Sequence, residues 1–207
     1  MQIDHLIYGA PDLSAAVADL EDRFGVRAQA GGRHPGLGTH NALLALGPRT
    51  YLEIIAPDPD QPEPSARRPF AVGDLARGAL VSWALTCDDI DQAVAAARSR
   101  GYDPGEIADG QRIASAGTVL RWRATGSARA GGLVPFLISW GDTEHPARSA
   151  PPGLSLESLR IEHPEPASLT PALTALGAGP DVIPVAPAAA PALVATLSGP
   201  AGPQVLR

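Results

Sequence analysis

Three segments of the chain repeat one pattern of hydrophobic and polar positions. Each begins with a short alternating run, as in a half-buried strand, and continues after a turn into a stretch with apolar residues at positions i, i+3, i+4 and i+7. The apolar stretches begin at Leu13, Ile90 and Leu169. This spacing places the apolar side chains in one stripe along a helix. Three occurrences of a strand followed by a helix indicate an internal repeat.

The residues flanking these stretches predict where the helices begin and end. An aspartate or serine precedes each one, and its side-chain oxygen can accept a hydrogen bond from a free backbone N–H, which is worth about 1 kcal/mol. These capping residues are Asp12, Asp89 and Ser168. A glycine, which adopts the left-handed cap conformation without strain, follows each stretch. The sequence therefore predicts helices over residues 13–24, 90–100 and 169–176.

Further alternating runs complete two units of the same order, each a strand, a helix and three more strands. The strands are predicted over residues 2–9, 26–30, 39–46 and 49–56 in the first unit, and over 80–86, 105–108, 118–125 and 133–140 in the second. Glycine-rich loops are predicted over residues 31–38 and 126–132. The predicted fold class is therefore α+β, built from two βαβββ modules.

The module boundaries follow from the composition of the segments between them. The first module is predicted over residues 1–56 and the second over residues 79–146. Residues 57–78 carry repeated prolines and lack the periodicity of a helix or strand, so they are predicted to form a connector. Residues 154–207 are predicted to form a βα-containing half-module packed on the flank, because prolines interrupt its later apolar segments.

Composition and motifs narrow the function classes. The net charge is −6 and the 16 basic residues are scattered, so no basic surface for nucleic acid is expected. No apolar stretch approaches the roughly 18 residues of a membrane span and no signal peptide is evident, so we expect a soluble, cytoplasmic protein. The single cysteine, Cys87, excludes an internal disulfide and is expected to be a small buried side chain. The phosphate-loop and nucleophile-elbow motifs are also absent from the sequence.

Two ionisable residues fall within predicted apolar strands. Alternation places His5 on one face of the first strand, and Asp4 and Leu6 on the other. Glu53 lies in the middle of the fourth strand. A buried carboxylate is costly unless it is paired, bound to a metal or hydrated. The pattern therefore predicts either a hydrogen-bonded His5–Glu53 pair or a shared metal ion.

Two such units, with a histidine in the first strand and a glutamate in the fourth, resemble the vicinal-oxygen-chelate superfamily. Within it, residues 31–41 and 51–53 look like the glyoxalase-like domain group, and residues 133–140 with His145 and Pro146 fit the second half of that group. The resemblance implies that the two modules form one cup-shaped barrel within a single chain, which binds a small organic molecule. It also implies a divalent metal (zinc, manganese or iron), for which His5 and Glu53 match the ligand positions.

The second module departs from the metal-binding pattern of that superfamily. Its matching positions are Ser82 or Trp83 and Ile138 or Ser139. A catalytic zinc typically has three protein ligands, and an oxygen-activating iron has two histidines and a carboxylate. A third ligand would have to come from one of three histidines: His34, His40 or His145. We therefore expect a polar His5–Glu53 pair in the cup, and no cofactor is assured.

The turn at Gly47-Pro48 decides which residues of the third strand face the cup. A turn of two or four residues places His40 beside Glu53, whereas a turn of three residues brings in Thr39 and Asn41. The family motif resembles Gly-Thr-any-Asn, which favours Thr39 and Asn41 as substrate-binding groups.

Aromatic and basic residues supply the remaining candidates. Trp83, Phe136 and Trp140 are predicted to form apolar walls for an organic ligand, or else to be ordinary core residues. One of two arginines that alternate along a strand, Arg121 and Arg123, could meet an anionic ligand or form a surface ion pair.

Two function classes stay open. In the first, the protein is a lyase, isomerase or dioxygenase, with or without a divalent metal, in which His5, Glu53 and His34 are catalytic. In the second, it is a non-catalytic protein that sequesters a small organic molecule. Either protein would be a monomer or a homodimer, because one chain supplies both halves of the cup.

Overall fold

The first module has the predicted order. Its elements in this computed structural model are β1 (Gln2–Gly9), α1 (Leu13–Phe24), β2 (Gln29–His34), β3 (Thr39–Gly47) and β4 (Thr50–Pro57). Asp12 caps α1 by accepting a hydrogen bond from Ala15 N at 2.7 Å, and Gly25 ends it with φ 74°. Residues 31–34 belong to β2, so the prediction of a loop over 31–38 is wrong for its first half. The glycines there removed the hydrophobic alternation by which a strand is recognised.

The second module repeats that order. Its elements are β5 (Ala79–Thr86), α2 (Ile90–Ser99), β6 (Ile107–Ala114), β7 (Val119–Thr125) and β8 (Phe136–Ser139). The structure describes residues 2–114, 117–126 and 129–207, so part of the predicted loop over 126–132 lies outside the described residues. β6 extends beyond the predicted residues 105–108. Its later part was not recognised as a strand because the apolar Ile113 is exposed, whereas the charged Arg112 is buried.

The eight strands of the two modules form one closed barrel in the order β1-β4-β3-β2-β6-β7-β8-β5. Within each module the first strand pairs in parallel with the fourth, β1 with β4 and β5 with β8. The modules meet where β1 pairs with β5 and where β2 pairs with β6, both antiparallel. The prediction of an α+β fold with two βαβββ modules in one cup is confirmed.

One hydrophobic cluster lies on the outside of the barrel, and a second lies in its interior. The larger one packs α1 and α2 against the outer face of the strands and includes Leu6, Leu52 and Trp83. The smaller one lies inside the barrel, where Ile7, Ile55, Ala84, Phe136 and Ile138 are buried. The connector covers the inner cluster, because a 3₁₀ helix over Pro69–Asp74 buries Val72 and places Phe70 beside Phe136 with ring centroids 6.2 Å apart.

The C-terminal region forms a separate four-stranded sheet. Its elements are β9 (Ser155–His163), α3 (Thr170–Ala175), β10 (Val185–Pro187), β11 (Ala192–Gly199) and β12 (Gly202–Leu206), with strand order β10-β9-β11-β12. Its first strand, β9, lies between the parallel β10 and the antiparallel β11. This strand order differs from that of the two modules. Ser168 does not cap α3, because a 3₁₀ turn leads directly into the helix and the Ser168 hydroxyl donates to Glu165 O at 2.7 Å. No described helix is long and apolar enough to cross a membrane.

Candidate functional site

A β-bulge in β1 changes the direction of the Asp4 side chain. Opposite β5, Ile3 pairs with Leu85 and His5 pairs with Ala84, which leaves Asp4 as the extra residue. A bulge of this kind breaks the alternation of side chains. Asp4 is fully buried and contacts groups of the barrel interior, so its predicted place on the same face as Leu6 is wrong.

The Asp4 carboxylate accepts hydrogen bonds from three side chains. Its Oδ1 lies 2.6 Å from Nδ1 of His5, and its Oδ2 lies 3.1 Å from Nε1 of Trp140 and 3.1 Å from Nε2 of His145. Burial alone raises the pKa of Asp4, but the hydrogen bonds from His145 and His5 outweigh it and hold that pKa well below its usual range. Asp4 is therefore ionised at neutral pH, and Nδ1 of His5 carries the proton that it donates.

The ring of His5 is held between aromatic residues. It stacks on Tyr51 with centroids 4.6 Å apart and meets the edge of Phe136 at 5.6 Å. Burial, together with the negative charges of Asp4 and Glu53, raises the pKa of Tyr51 well above 10, so its phenol stays neutral. With Nδ1 held by Asp4, Nε2 of His5 faces Glu53 Oε2 at 3.8 Å.

A second histidine approaches Glu53 from the other side. Nε2 of His34 lies 3.8 Å from Glu53 Oε1, and its Nδ1 lies 2.9 Å from Thr39 Oγ1. Asn41 bridges the pair, because its Nδ2 donates to Glu53 Oε1 at 2.6 Å and lies 3.5 Å from Nε2 of His34. An amide nitrogen can only donate, so we assign the proton of neutral His34 to Nδ1, which leaves the lone pair on Nε2.

The surroundings of His34 favour this neutral form. Burial is the main cause that lowers its pKa; the charge of Glu53 partly offsets the effect, and the positive charge of Arg112 adds to it. At neutral pH, His34 therefore presents an unprotonated nitrogen to the interior of the barrel.

A second bulge decides which residues of β3 face inward. Leu43 pairs with Glu53 and Ala45 with Tyr51, but the register shifts between Ala45 and Gly47. The shift puts odd-numbered residues of both strands on one face, so Asn41 reaches Glu53 and lines the cavity. Thr39 is fully buried and holds His34 in place.

These polar groups lie at one end of a cavity of about 170 Å³. Its aromatic lining consists of Tyr51, Phe70, Trp122, Phe136 and Trp140, and its polar lining includes His5, His34, Asn41, Glu53 and Arg112. The volume is below the roughly 300–1,000 Å³ of sites for drug-sized ligands. The cavity therefore suits a small organic molecule.

One predicted wall residue lies elsewhere. Trp83 is fully buried in the outer cluster, and its Nε1 donates to Leu133 O at 2.9 Å. It pairs with Leu6, whose side chain packs in the same outer cluster, so the register directs both toward the helices. Trp83 therefore packs on the outside of the barrel and does not line the cavity.

Several residues that line the cavity were not predicted from the sequence, among them Phe70, Arg112 and Trp122. Trp122 meets His34 edge-on at 6.2 Å and lies 5.5 Å from Trp140. Its alternation with Arg121 and Arg123 was the available signal, because both arginines are exposed and Arg123 pairs with Asp91 at 2.6 Å. Arg112 had no such signal, because its strand lacks hydrophobic alternation.

The donors of this cavity do not fit a metal in the observed arrangement. Glu53 Oε1 accepts a hydrogen bond from the Asn41 amide, which also approaches Nε2 of His34. Among residues 2–114, 117–126 and 129–207, no three His, Cys, Asp or Glu side chains form a group that could hold a metal ion. A metal bound by His5, His34 and Glu53 would have to share the Glu53 carboxylate with the Asn41 amide.

Comparisons with known proteins agree with the fold and these motifs. Residues 3–177 match the model of the family described as "Glyoxalase-like domain". A hypothetical protein from Staphylococcus aureus is similar in structure, with a TM-score of 0.64 and 16% identity over 84% of this chain and 74% of that one. Methylmalonyl-CoA epimerase from Mycobacterium tuberculosis matches with a TM-score of 0.45 and 19% identity, covering 69% of this chain and 88% of its own.

The epimerase from Streptomyces coelicolor gives a similar result, with a TM-score of 0.47 and 20% identity over 70% of this chain and 99% of that one. These likenesses concern the fold alone. No curated protein matches the sequence. Because the family model covers most of the chain, the protein belongs to the glyoxalase-like domain family.

Proposed function

We propose that this protein is an isomerase or lyase that moves a proton at a carbon atom of a small organic molecule. One observation carries the proposal: Nε2 of His5 and Nε2 of His34 face the carboxylate of Glu53 from two sides, each at 3.8 Å. The Nδ1 atom of each histidine is held, by Asp4 in one case and by Thr39 in the other. Three groups that exchange protons are thus fixed around one point of a cavity.

The two histidines have different roles in this reaction. Neutral His34 acts as the base, because its Nε2 carries a lone pair and burial keeps its pKa low. His5 turns its Nε2 toward Glu53, because its Nδ1 is held by the Asp4 carboxylate, and it can exchange a proton with Glu53 there. Glu53 lies between them and passes or returns the proton. The aromatic lining keeps bulk water from the proton in transfer.

The test is incorporation of deuterium into small carbonyl compounds in D₂O, followed by proton NMR. We expect exchange at the carbon next to the carbonyl group with the wild-type protein. His34→Gln and Glu53→Gln should each slow exchange by roughly 10²- to 10⁴-fold, the usual contribution of a positioned acid or base. His163→Gln, on β9 of the separate sheet, is the matched control and should exchange at the wild-type rate.

Binding without exchange in the wild-type protein would instead support the second class of function, sequestration. The same aromatic cavity serves that function, because Trp122, Phe136 and Trp140 can enclose an organic molecule without any chemistry. Equal exchange rates in the wild type and in both variants would contradict the proposed roles of His34 and Glu53.

A further inference from the structure

Arg112 is a buried arginine in the wall of the cavity. The residue is 5% exposed and lines the cavity that holds His5, His34 and Glu53. Across the part of the chain that the structure describes, it makes no hydrogen bond or ion pair to another residue. Arginines with ion-pair partners here lie nearer the surface; Arg123 and Arg98, for example, are exposed and paired with Asp91 and Asp103.

Arginine side chains keep their positive charge in proteins, so a buried guanidinium does not become neutral to adapt to burial. A buried charge without a partner is unfavourable, and buried charges in proteins are normally paired or hydrogen-bonded. Within the described part of the chain, the Arg112 guanidinium therefore faces the cavity without a protein partner for its charge.

A second unsatisfied atom lies near Arg112. Oδ1 of Asn41 is buried and, among the described residues, has no hydrogen-bond partner. A Cβ atom at Gly31 would overlap this oxygen and would come within 3.0 Å of Nη1 of Arg112. Because position 31 is glycine, the amide of Asn41 and the guanidinium of Arg112 both fit against its backbone, in the wall of the cavity that they line.

We infer that Arg112 binds the carboxylate of the substrate, and that the substrate is a small carboxylic acid with a carbonyl group beside the reacting carbon. The planar guanidinium matches a carboxylate with two parallel N–H···O bonds. The assignment of a substrate rests on the proton-transfer function proposed above, whereas the binding of a carboxylate by Arg112 does not.

The reaction step follows from the positions of these groups in one cavity. With the carboxylate on Arg112, Nε2 of His34 takes a proton from the carbon next to the carbonyl group. The C–H bond breaks, an N–H bond forms, and the electron pair moves to the carbonyl oxygen to give an enolate. Return of the proton to that carbon restores the ketone and His34, so no oxidant or other co-reactant is needed. The positive charge of Arg112 also disfavours a proton on His34 before the substrate binds.

The experiment measures thermal stabilisation by 2-oxobutyrate and phenylpyruvate, each compared with its methyl ester at equal ionic strength. We expect both acids to raise the Tm of the wild-type protein and the esters to have little effect. Arg112→Gln should weaken binding of the acids by about 10- to 100-fold, the range for hydrogen bonds to a charged group. Arg112→Lys should bind with intermediate affinity, because lysine keeps the charge but not the two-pronged geometry.

Arg121→Gln is the matched control, since it removes the same charge from an exposed position on β7 and should bind as the wild type does. Without ligand, Arg112→Gln should unfold at the same temperature as the wild type or higher, because an unpaired buried charge has been removed. A ligand-free Tm several degrees lower in Arg112→Gln would show a structural role and overturn the inference. An equal shift with inorganic phosphate would also overturn it, because the site would then take any oxyanion.

Deuterium exchange separates this inference from the proposed function. Acids that stabilise the protein but exchange no deuterium would contradict the proton-transfer function and leave carboxylate binding by Arg112 in place. Exchange that proceeds equally with the esters, or equally in Arg112→Gln, would contradict carboxylate binding and leave proton transfer in place. Stabilisation and exchange that both require the free carboxylate and Arg112 would support both.

Discussion

Nδ1 of His5 lies 2.6 Å from Oδ1 of Asp4, the residue that precedes it in the same strand. In a regular strand, neighbouring side chains point to opposite faces and cannot meet in this way. The bulge at Asp4 removes that restriction and gives His5 an anionic partner inside the barrel. The orientation of the histidine therefore depends on the pairing of β1 with β5, the strands that join the two modules.

Asp4→Ala should lower the free energy of unfolding by about 3–5 kcal/mol, the usual result of removing one partner from a buried ionic group. The substitution leaves His5, Trp140 and His145 without their common acceptor. Urea unfolding followed by circular dichroism measures the change. Asp181→Ala removes the same group from an exposed position and should stay within about 0.5 kcal/mol of the wild type. A change below about 1 kcal/mol in Asp4→Ala would contradict the importance of the network.

Gly31→Ala should abolish ligand binding while the fold is retained. The new Cβ atom would overlap Oδ1 of Asn41 and lie 3.0 Å from Nη1 of Arg112, so both side chains would be displaced in the wall of the cavity. Isothermal titration with 2-oxobutyrate measures binding, and circular dichroism checks the fold. Gly126→Ala is the matched control, because a Cβ atom there meets nothing within 4 Å. Wild-type affinity in Gly31→Ala would show that the ligand lies elsewhere in the cavity.

The stability of the protein should fall as the pH drops below about 6.5, the ordinary pKa of histidine. Burial lowers the pKa of His34 in the fold, so between its folded pKa and 6.5 the unfolded chain binds more protons at this residue. Protonation then favours unfolding, and the stability that neutral His34 contributes is present above pH 6.5 and lost as the pH falls through the folded pKa.

The midpoint of urea unfolding between pH 7 and pH 4.5 measures this effect, and His34→Gln should show a shallower decline than the wild type. Asp4 acts in a separate range: its lowered pKa affects stability only below about pH 4, the ordinary pKa of aspartate. Identical slopes in the wild type and in His34→Gln would show that His34 titrates with its ordinary pKa.

Treatment with a chelator should change neither ligand binding nor proton exchange, because the Asn41 amide already bonds Glu53 and no three metal-binding side chains are grouped among the described residues. The measurement is metal content by mass spectrometry, with thermal stability and exchange rate, before and after dialysis against EDTA. Addition of zinc, manganese or iron provides the converse treatment. Stoichiometric metal that leaves together with the activity would overturn this prediction and favour a metal-dependent lyase or dioxygenase.

The sequence by itself determined the helices and the order of the modules. The apolar stripe of α1, its cap at Asp12 and its end at Gly25 all act within a few residues of one another, so local pattern was enough to place the helix. The same holds for the placement of His5 in β1 and Glu53 in β4, because each lies within a run of strongly apolar residues.

The tertiary structure decided which side chains meet in the cavity. Single-residue bulges in β1 and β3 shift the register, and a shift of one residue moves a side chain to the other face of a strand. They bring Asp4 and Asn41 to the histidines, while the register of β5 turns Trp83 toward the helices. Arg112 lies inward because its strand closes the barrel against β2. Such pairings join residues far apart in the chain, so no local pattern of hydrophobic and polar positions contains them.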